Sequence, residues 1–265
     1  MRFSNSLQAL RRFIPRGGFG RSVAVLAGGT ALGQTVTILA SPLLTRLYDP
    51  QDFGIAAVYT SLLSIFSVVA SLRYELAIPL PEEEPTAANV LWFSLLMVGL
   101  TACVAGLGVW FLGGKLVHLV NSPGLRPFLW LLPLGMALVG TYQVFSYWAI
   151  RREAFPRLAR TKVTQGVSSV AVQLLFGFAY AGPLGLLLGR VVGQAAGVGT
   201  LALLARRRDA EALRAWSWQR MRYVALRYRR FPMLSSGAAL INALGLQVPV
   251  LLLSSLYGAQ VVGHF

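Results

Sequence analysis

The residue whose type and position most plainly suggest chemistry is Arg190. It lies about a third of the way along an apolar run, Leu184–Ala205. An ionisable side chain inside such a run costs about 3 kcal/mol at the bilayer centre and marks a functional site by default. Gln194 follows one helical turn later on the same face. A guanidinium grips phosphate or carboxylate through two parallel hydrogen bonds, so the chemistry on offer is anion recognition. The competing reading of Arg190 is an ion pair between helices, or a side chain reaching for the membrane surface.

Polar stripes at helical spacing accompany it. One run carries Thr30, Gln34, Thr37 and Ser41, the next Thr60, Ser64, Ser67 and Ser71 with Glu75 beyond them, and a third Gln165, Ser169 and Gln173. Such stripes either line a wet cavity or hydrogen-bond between helices, and spacing alone leaves both open. Arg73 lies off the second stripe and is placed to pair with Glu75 or to reach a lipid phosphate. The candidate substrate-binding residues are therefore Arg190, Gln194, Arg73, Gln34 and Gln173.

Bond-making chemistry finds little material. The chain has no G-x-S-x-G, H-E-x-x-H or Walker A pattern, and Gly113-Gly114-Lys115 is followed by Leu116 rather than Ser or Thr. The one cysteine, Cys103, cannot form an internal disulfide, and two histidines offer little for a metal site. No catalytic residue, metal or cofactor is expected, and no enzymatic activity.

The elements that must hold these side chains follow from composition. Of 265 residues, 55% are hydrophobic and 12% charged, with a mean hydropathy of +0.62. Soluble domains carry roughly a quarter charged residues. The net charge of +15 raises the question of nucleic acid, but the chain has too few polar residues to solvate a basic surface, so no nucleic-acid partner is expected. The expected class is an all-α integral membrane protein.

A crossing needs roughly 20 apolar residues. Six such runs read as Ser22–Thr45, Ile55–Leu72, Ala88–Leu112, Pro127–Ile150, Val163–Ala181 and Leu184–Ala205, and a seventh as Met233–Leu256. On this reading Lys162 sits in a loop, and no lysine lies within a span. Twenty of the 24 basic residues then fall on one side, which places the N-terminus in the cytoplasm. Most of these arginines read as anchors on anionic lipid, which makes membrane lipids a partner. Residues 3–14 repeat Phe3, Leu7, Leu10 and Ile14 at helical spacing and suit a short interfacial helix or a basic tail.

The linker after the sixth run puts Leu213, Trp216, Val224, Tyr228 and Phe231 on one helical face and Arg214, Arg222 and Arg229 on the other. Such a basic amphipathic helix is expected to lie in the cytoplasmic headgroup layer. The organisation is thus a basic N-terminal segment (1–21), a six-span lobe (22–205), an amphipathic linker (206–232) and the first span of a second lobe (233–265).

An internal repeat supports that division. Leu47-Tyr48-Asp49-Pro50-Gln51-Asp52-Phe53-Gly54 and Leu256-Tyr257-Gly258-Ala259-Gln260-Val261-Val262-Gly263 share Leu, Tyr, Gln and Gly at a constant offset of 209 residues. Each follows an apolar helix containing a proline, Pro42 or Pro249. Six spans separate the copies, so both helices run the same way across the membrane, as in transporters built from two lobes. The expectation is a six-helix transmembrane lobe plus the first helix of a missing second lobe, in a C-terminally truncated chain.

The residues that carry a family resemblance are Thr45-Arg46-Leu47-Tyr48 with Asp52-Phe53-Gly54, Arg73-Tyr74-Glu75-Leu76-Ala77-Ile78-Pro79-Leu80-Pro81, Gly185-Leu186-Leu187-Leu188-Gly189 with Gly193-Gln194, Tyr228-Arg229-Arg230-Phe231-Pro232, and Gln247-Val248-Pro249. In their order and placement the chain resembles the Wzx-type polysaccharide or oligosaccharide flippases of the multidrug/oligosaccharidyl-lipid/polysaccharide exporter superfamily. The resemblance implies alternating access that moves a polyprenyl-diphosphate-linked oligosaccharide across the cytoplasmic (inner) membrane for O-antigen or lipopolysaccharide-type surface polysaccharide. It also implies a polysaccharide polymerase and glycosyltransferases as partners. Two other functions stay open on the sequence: a cation-coupled small-molecule exporter of the same superfamily, and a non-transporting scaffold in envelope assembly.

Overall fold

The computed structural model describes residues 18–179 and 182–264. The expected interfacial segment 3–14 lies outside them. Long helices dominate, and no strand occurs among the described residues. They are α1 (Gly18–Leu47), α2 (Pro50–Val68), α3 (Glu84–Leu119), α4 (Leu131–Arg151), α5 (Phe155–Ala179), α6 (Leu184–Arg208), the short α7 (Ala210–Arg214), α8 (Trp218–Arg227), α9 (Ser236–Tyr257) and a terminal turn, α10 (Ala259–His264). The chain is an all-helical membrane protein.

Among the described residues, five segments are long and apolar enough to cross a bilayer: Ser22–Leu47, Pro50–Val68, Glu84–Leu119, Leu184–Arg208 and Phe231–Tyr257. The other two long helices, α4 with 21 residues and α5 with 25, pack among them and have the length to cross. Their lower apolarity has a visible source. Helix α5 carries Arg157, Arg160 and Lys162 in its first two turns and then the Gln165–Ser169–Gln173 stripe, while α4 carries Gln143, Ser146 and Tyr147.

In the bundle, α5 packs along both α1 and α6, α6 leans on α4, and α4 on α3 and α2. Small residues make the closest of these contacts. A Cβ on Gly33 would stand 2.6 Å from the Lys162 carbonyl oxygen, and one on Gly166 equally close to the Gly33 carbonyl. The row Gly185, Gly189, Gly193, Gly197 on α6 faces Tyr48, Gln173, Ser169 and Gln165, so its four-residue spacing is a packing seam. Helix α1 leans on α5 and has no extended contact with α2. The space between α1 and α2 is where the polar stripes converge.

At the arginine-rich end, Asp209 ties three elements together. Its carboxylate accepts from Trp148 Nε1 at 3.1 Å and pairs with Arg152 at 3.3 Å and Arg157 at 3.9 Å. Arg152 also bonds Glu84 at 2.5 Å, which holds its guanidinium above the ordinary arginine range. Asp209 is only 10% exposed. Asp209→Asn is expected to cost about 1–3 kcal/mol, read as a lowered melting temperature of the purified protein. An unchanged melting temperature would mean that the cluster is a solvated surface group.

The linker departs from its expected form. It is not one helix but α7, a break at Ala215–Ser217, and α8. The break is held by Asn89 of α3, whose amide donates to the Ala215 carbonyl at 2.9 Å and whose carbonyl oxygen accepts from the Ser217 N–H at 2.9 Å. Val224 is fully buried, with Leu213, Tyr228 and Phe231 packed around the same cluster. That apolar face is therefore docked on the bundle rather than sunk in lipid. Trp216, assigned to it by spacing, is instead exposed because the break turns it away.

The repeat appears as a symmetric contact. Helix α10 crosses α2 with Gly54 against Gly263, the two aligned glycines. A Cβ on Gly54 would be driven into the carbonyl oxygen of Ala259, and one on Gly263 into that of Pro50. Pro50 and Ala259 also stand 209 residues apart. Each copy offers the same backbone atoms to the other, as a local two-fold axis between the copies requires. Helix α9 otherwise buries only Ala243 and Ser254, and Asn242 is exposed.

Candidate functional site

A cavity of about 720 Å³ lies between α1, α2, α5 and α6. Thr30, Gln34, Thr37 and Ser41 come from α1, Thr60 and Ser61 from α2, Lys162, Gln165, Ser169 and Gln173 from α5, and Arg190 and Gln194 from α6. Val250 of α9 touches its edge. A second hollow of about 340 Å³ adjoins it, with Ser64, Ser67 and Gln143 in its wall, and Thr60, Arg190 and Gln194 line both. The polar stripes of three separate runs thus face one space.

Hydrogen bonding resolves the choice that spacing left open. Thr30 donates to the Leu26 carbonyl at 3.0 Å, Thr60 to Ala56 at 2.7 Å and Ser64 to Thr60 at 2.8 Å. Each hydroxyl spends its proton on the preceding turn of its own helix and leaves oxygen lone pairs facing the cavity. Thr30 and Ser64 are cavity lining, while Thr60 also accepts a bond from across the helices. The end of the α2 stripe differs: Ser71 is buried and hydrogen-bonds the Glu75 carboxylate.

Arg190 is exposed to this space. Its Nε donates to the Thr60 hydroxyl at 3.1 Å, and no carboxylate pairs with it among the described residues. The ion-pair reading of Arg190 is therefore replaced by a neutral contact that leaves the guanidinium's charge uncompensated. Gln194 accepts from Gln165 Nε2 at 3.5 Å across the α5–α6 seam. Gln34 is exposed into the cavity. Gln173 is buried at the rim, where its amide reaches Ser169 at 3.4 Å and its backbone carbonyl accepts from Tyr48 Oη at 2.5 Å.

Arg73 does not join them. Leu72 and Arg73 both adopt left-handed backbone angles, φ 49° and 63°. These turn the chain sharply after α2, where Arg73 pairs with buried Glu75 at 3.7 Å and points Nε at Ser235 Oγ, 3.5 Å away. It fastens the arginine-rich end of α2 to the start of the seventh span. It stands apart from the cavity lining, in the Glu75 pairing that its spacing also allowed.

Lys162 is the residue that the sequence reading missed. It lies inside α5, seven residues from the helix start, and lines the cavity. Its Nζ stands 4.9 Å from the centroid of the Tyr142 ring. The available signal was its register: Lys162, Gln165, Ser169 and Gln173 fall at three- and four-residue steps on one face. Proximity to Arg157 and Arg160 made it look like loop charge.

The arrangement can bind an anion and hydroxyl-rich groups together. Two cations face the cavity, amides and hydroxyls surround them, and no carboxylate lines the space among the described residues. Nor do the described residues include a cluster of side chains able to hold a metal ion. A further groove of about 480 Å³ between α2, α3 and α4 has an almost wholly apolar wall, from Phe66 to Leu116, and offers nothing to a charged head group.

No curated protein and no solved structure matches the chain in comparison. A family model described as "polysaccharide biosynthesis protein" matches residues 43–265. That stretch contains α2 to α10, the Arg190 face of the cavity and both halves of the repeat. With most of its length matched and its helices gathered around a cationic, hydroxyl-lined cavity, the chain belongs to the polysaccharide biosynthesis protein family.

Proposed function

We propose that this chain translocates a polyprenyl-diphosphate-linked oligosaccharide across the cytoplasmic membrane by alternating access, with residues 22–205 supplying the cavity. The observation that carries the proposal is the cavity. It is polar and positively charged, set within apolar helices, and has no carboxylate among its described lining residues. A polar head group crossing hydrocarbon needs such a space, because each unpaired polar group there costs several kcal/mol. Arg190 meets the diphosphate with Gln165 and Gln194 beside it, Gln34 meets saccharide hydroxyls, and the polyprenyl chain stays in lipid. A pump for cations would need acidic residues on this surface, so the lining favours an anionic substrate.

The arginine bias sets the direction, with the arginine-rich end in the cytoplasm. The Gly54–Gly263 crossing then closes the outer end, and release outward requires α2 and α10 to part there. Single cysteines scanned through a Cys103→Ala background test this orientation. A membrane-impermeant thiol reagent should label the exposed positions 115, 121 and 126 in intact cells and leave 206–231 unlabelled. The reverse pattern contradicts the proposed direction.

Expression in a bacterial strain lacking its own flippase tests the function itself. Surface polysaccharide should return in cells making the protein and stay absent with Arg190→Gln at equal protein level. Failure to restore polysaccharide, with the protein in the membrane and matched lipid-linked sugars supplied, contradicts the proposal.

A further inference from the structure

Lys162 and Arg190 are two cations in one cavity, and each rests on a neutral partner. Arg190 donates to a threonine hydroxyl and Lys162 sits over a tyrosine ring. A cation–π contact is worth about 0.5–2 kcal/mol, and neither contact neutralises a charge. All four ion pairs among the described residues lie elsewhere, on Glu75, Glu84 and Asp209.

Helix register fixes how far apart the two sit. Gly189 faces Ser169 and Gln173, and Gly193 faces Gln165 and Ser169. Arg190 is therefore level with about residue 170 of α5, eight residues beyond Lys162, or about 12 Å along the axis. Both residues line the cavity and carry long side chains, so an anion lying between them is within reach of each. The Gln165–Gln194 pair lies between the two cations and supplies neutral amide groups to the same place.

We infer that Lys162 is the second point of an anion clamp with Arg190, and that the pair selects a head group carrying two negative charges over one carrying a single charge. The inference rests on the proposed function and adds the residue that sets the charge of the head group. Two uncompensated cations are neutralised by a dianion such as a diphosphate diester, whereas a single phosphodiester leaves one of them unpaired. In a low-dielectric cavity that difference is felt strongly. Arg190 supplies the two-pronged contact, and Lys162 supplies a point charge. Arginine at position 162 should therefore serve nearly as well.

The test is binding of two soluble head-group analogues to the purified full chain in detergent. P1,P2-dimethyl diphosphate carries two charges and dimethyl phosphate one. The wild-type chain should bind the diphosphate roughly ten- to a hundredfold more tightly, the scale of one charge-assisted hydrogen bond. Lys162→Gln should bring that ratio to about threefold or less by weakening the diphosphate alone, Lys162→Arg should keep most of the selectivity, and Arg190→Gln should weaken both ligands. Equal losses for both analogues in Lys162→Gln overturn the selectivity role. An unchanged diphosphate affinity in Lys162→Gln shows that Lys162 only packs on Tyr142 and overturns the clamp, while a normal Arg190→Gln loss still supports the wider reading. A wild-type chain that binds neither analogue overturns both. Melting temperatures of the variants, expected within a few degrees of wild type, separate these results from misfolding.

Discussion

Replacing Gly54 with alanine is expected to abolish the α2–α10 crossing, although alanine adds a single carbon. The added Cβ would fall on a backbone carbonyl of α10, and a backbone atom cannot turn aside as a side chain would. Overpacking a tight contact costs about 1–3 kcal/mol even where side chains can rearrange. Gly263→Ala should do the same from the other side, because the contact is reciprocal. With the crossing parted, Ala259 and Val262, now 8% and 5% exposed, become accessible. Cysteines placed there in a Cys103→Ala background should react slowly in the parent and at least tenfold faster in the glycine variants. If the crossing seals the outer end, transport falls with it. Gly99→Ala is the control, since a Cβ at Gly99 meets nothing within 4 Å and alanine is the better helix former. Unchanged labelling in Gly54→Ala would show that α10 does not sit on α2.

Arg190→Gln is expected to lose nearly all transport at unchanged protein level, and Arg190→Lys to keep part of it. A charge-assisted contact is worth about 1.5–3 kcal/mol, so a ten- to hundredfold fall is the scale. Lysine supplies charge without the planar fork, which is why it is expected to fall between. Insertion should not suffer, because removing a charge from a membrane span lowers its insertion cost. Thr60→Val separates the roles. It removes the hydroxyl that holds the guanidinium at 3.1 Å and keeps the charge, so transport should drop only a fewfold. If Arg190→Gln instead lowers protein level while Thr60→Val does likewise, Arg190 is a structural tie between α6 and α2.

What the sequence disclosed and what it hid divide along physical lines. Stripes such as Thr30–Gln34–Thr37–Ser41 were legible because helical spacing fixes a common face whatever the neighbours do. That they surround one space depended on which helices meet, and a single sequence does not encode that in any local pattern. The glycine row of α6 was legible as packing for the same reason. Arg73's pairing with Glu75 was legible from spacing, but the sharp turn that sets it apart from the cavity was not: Leu72 and Arg73 itself are left-handed, neither is glycine, and no turn signal announces them. Lys162 was hidden by position: a run of basic residues looks like a loop until the helix start at Phe155 is known. The linker kept its apolar face but lost its continuity, since the break at Ala215–Ser217 is set by Asn89, 128 residues before Ser217. The repeat gained most from the structure. Four identities in eight residues are weak alone, yet the aligned glycines meet each other across the crossing.

The most direct test of the central claim is flipping by the purified chain in proteoliposomes. A polyprenyl-diphosphate oligosaccharide with a fluorescent sugar is placed in both leaflets, and a membrane-impermeant reductant bleaches the outer one. The proposed function predicts that bleaching proceeds past half to near completion with wild-type protein, and stops near half with Arg190→Gln or with empty vesicles. Bleaching that stops at half with wild-type protein, while the same vesicles are shown to contain correctly inserted chain, contradicts it.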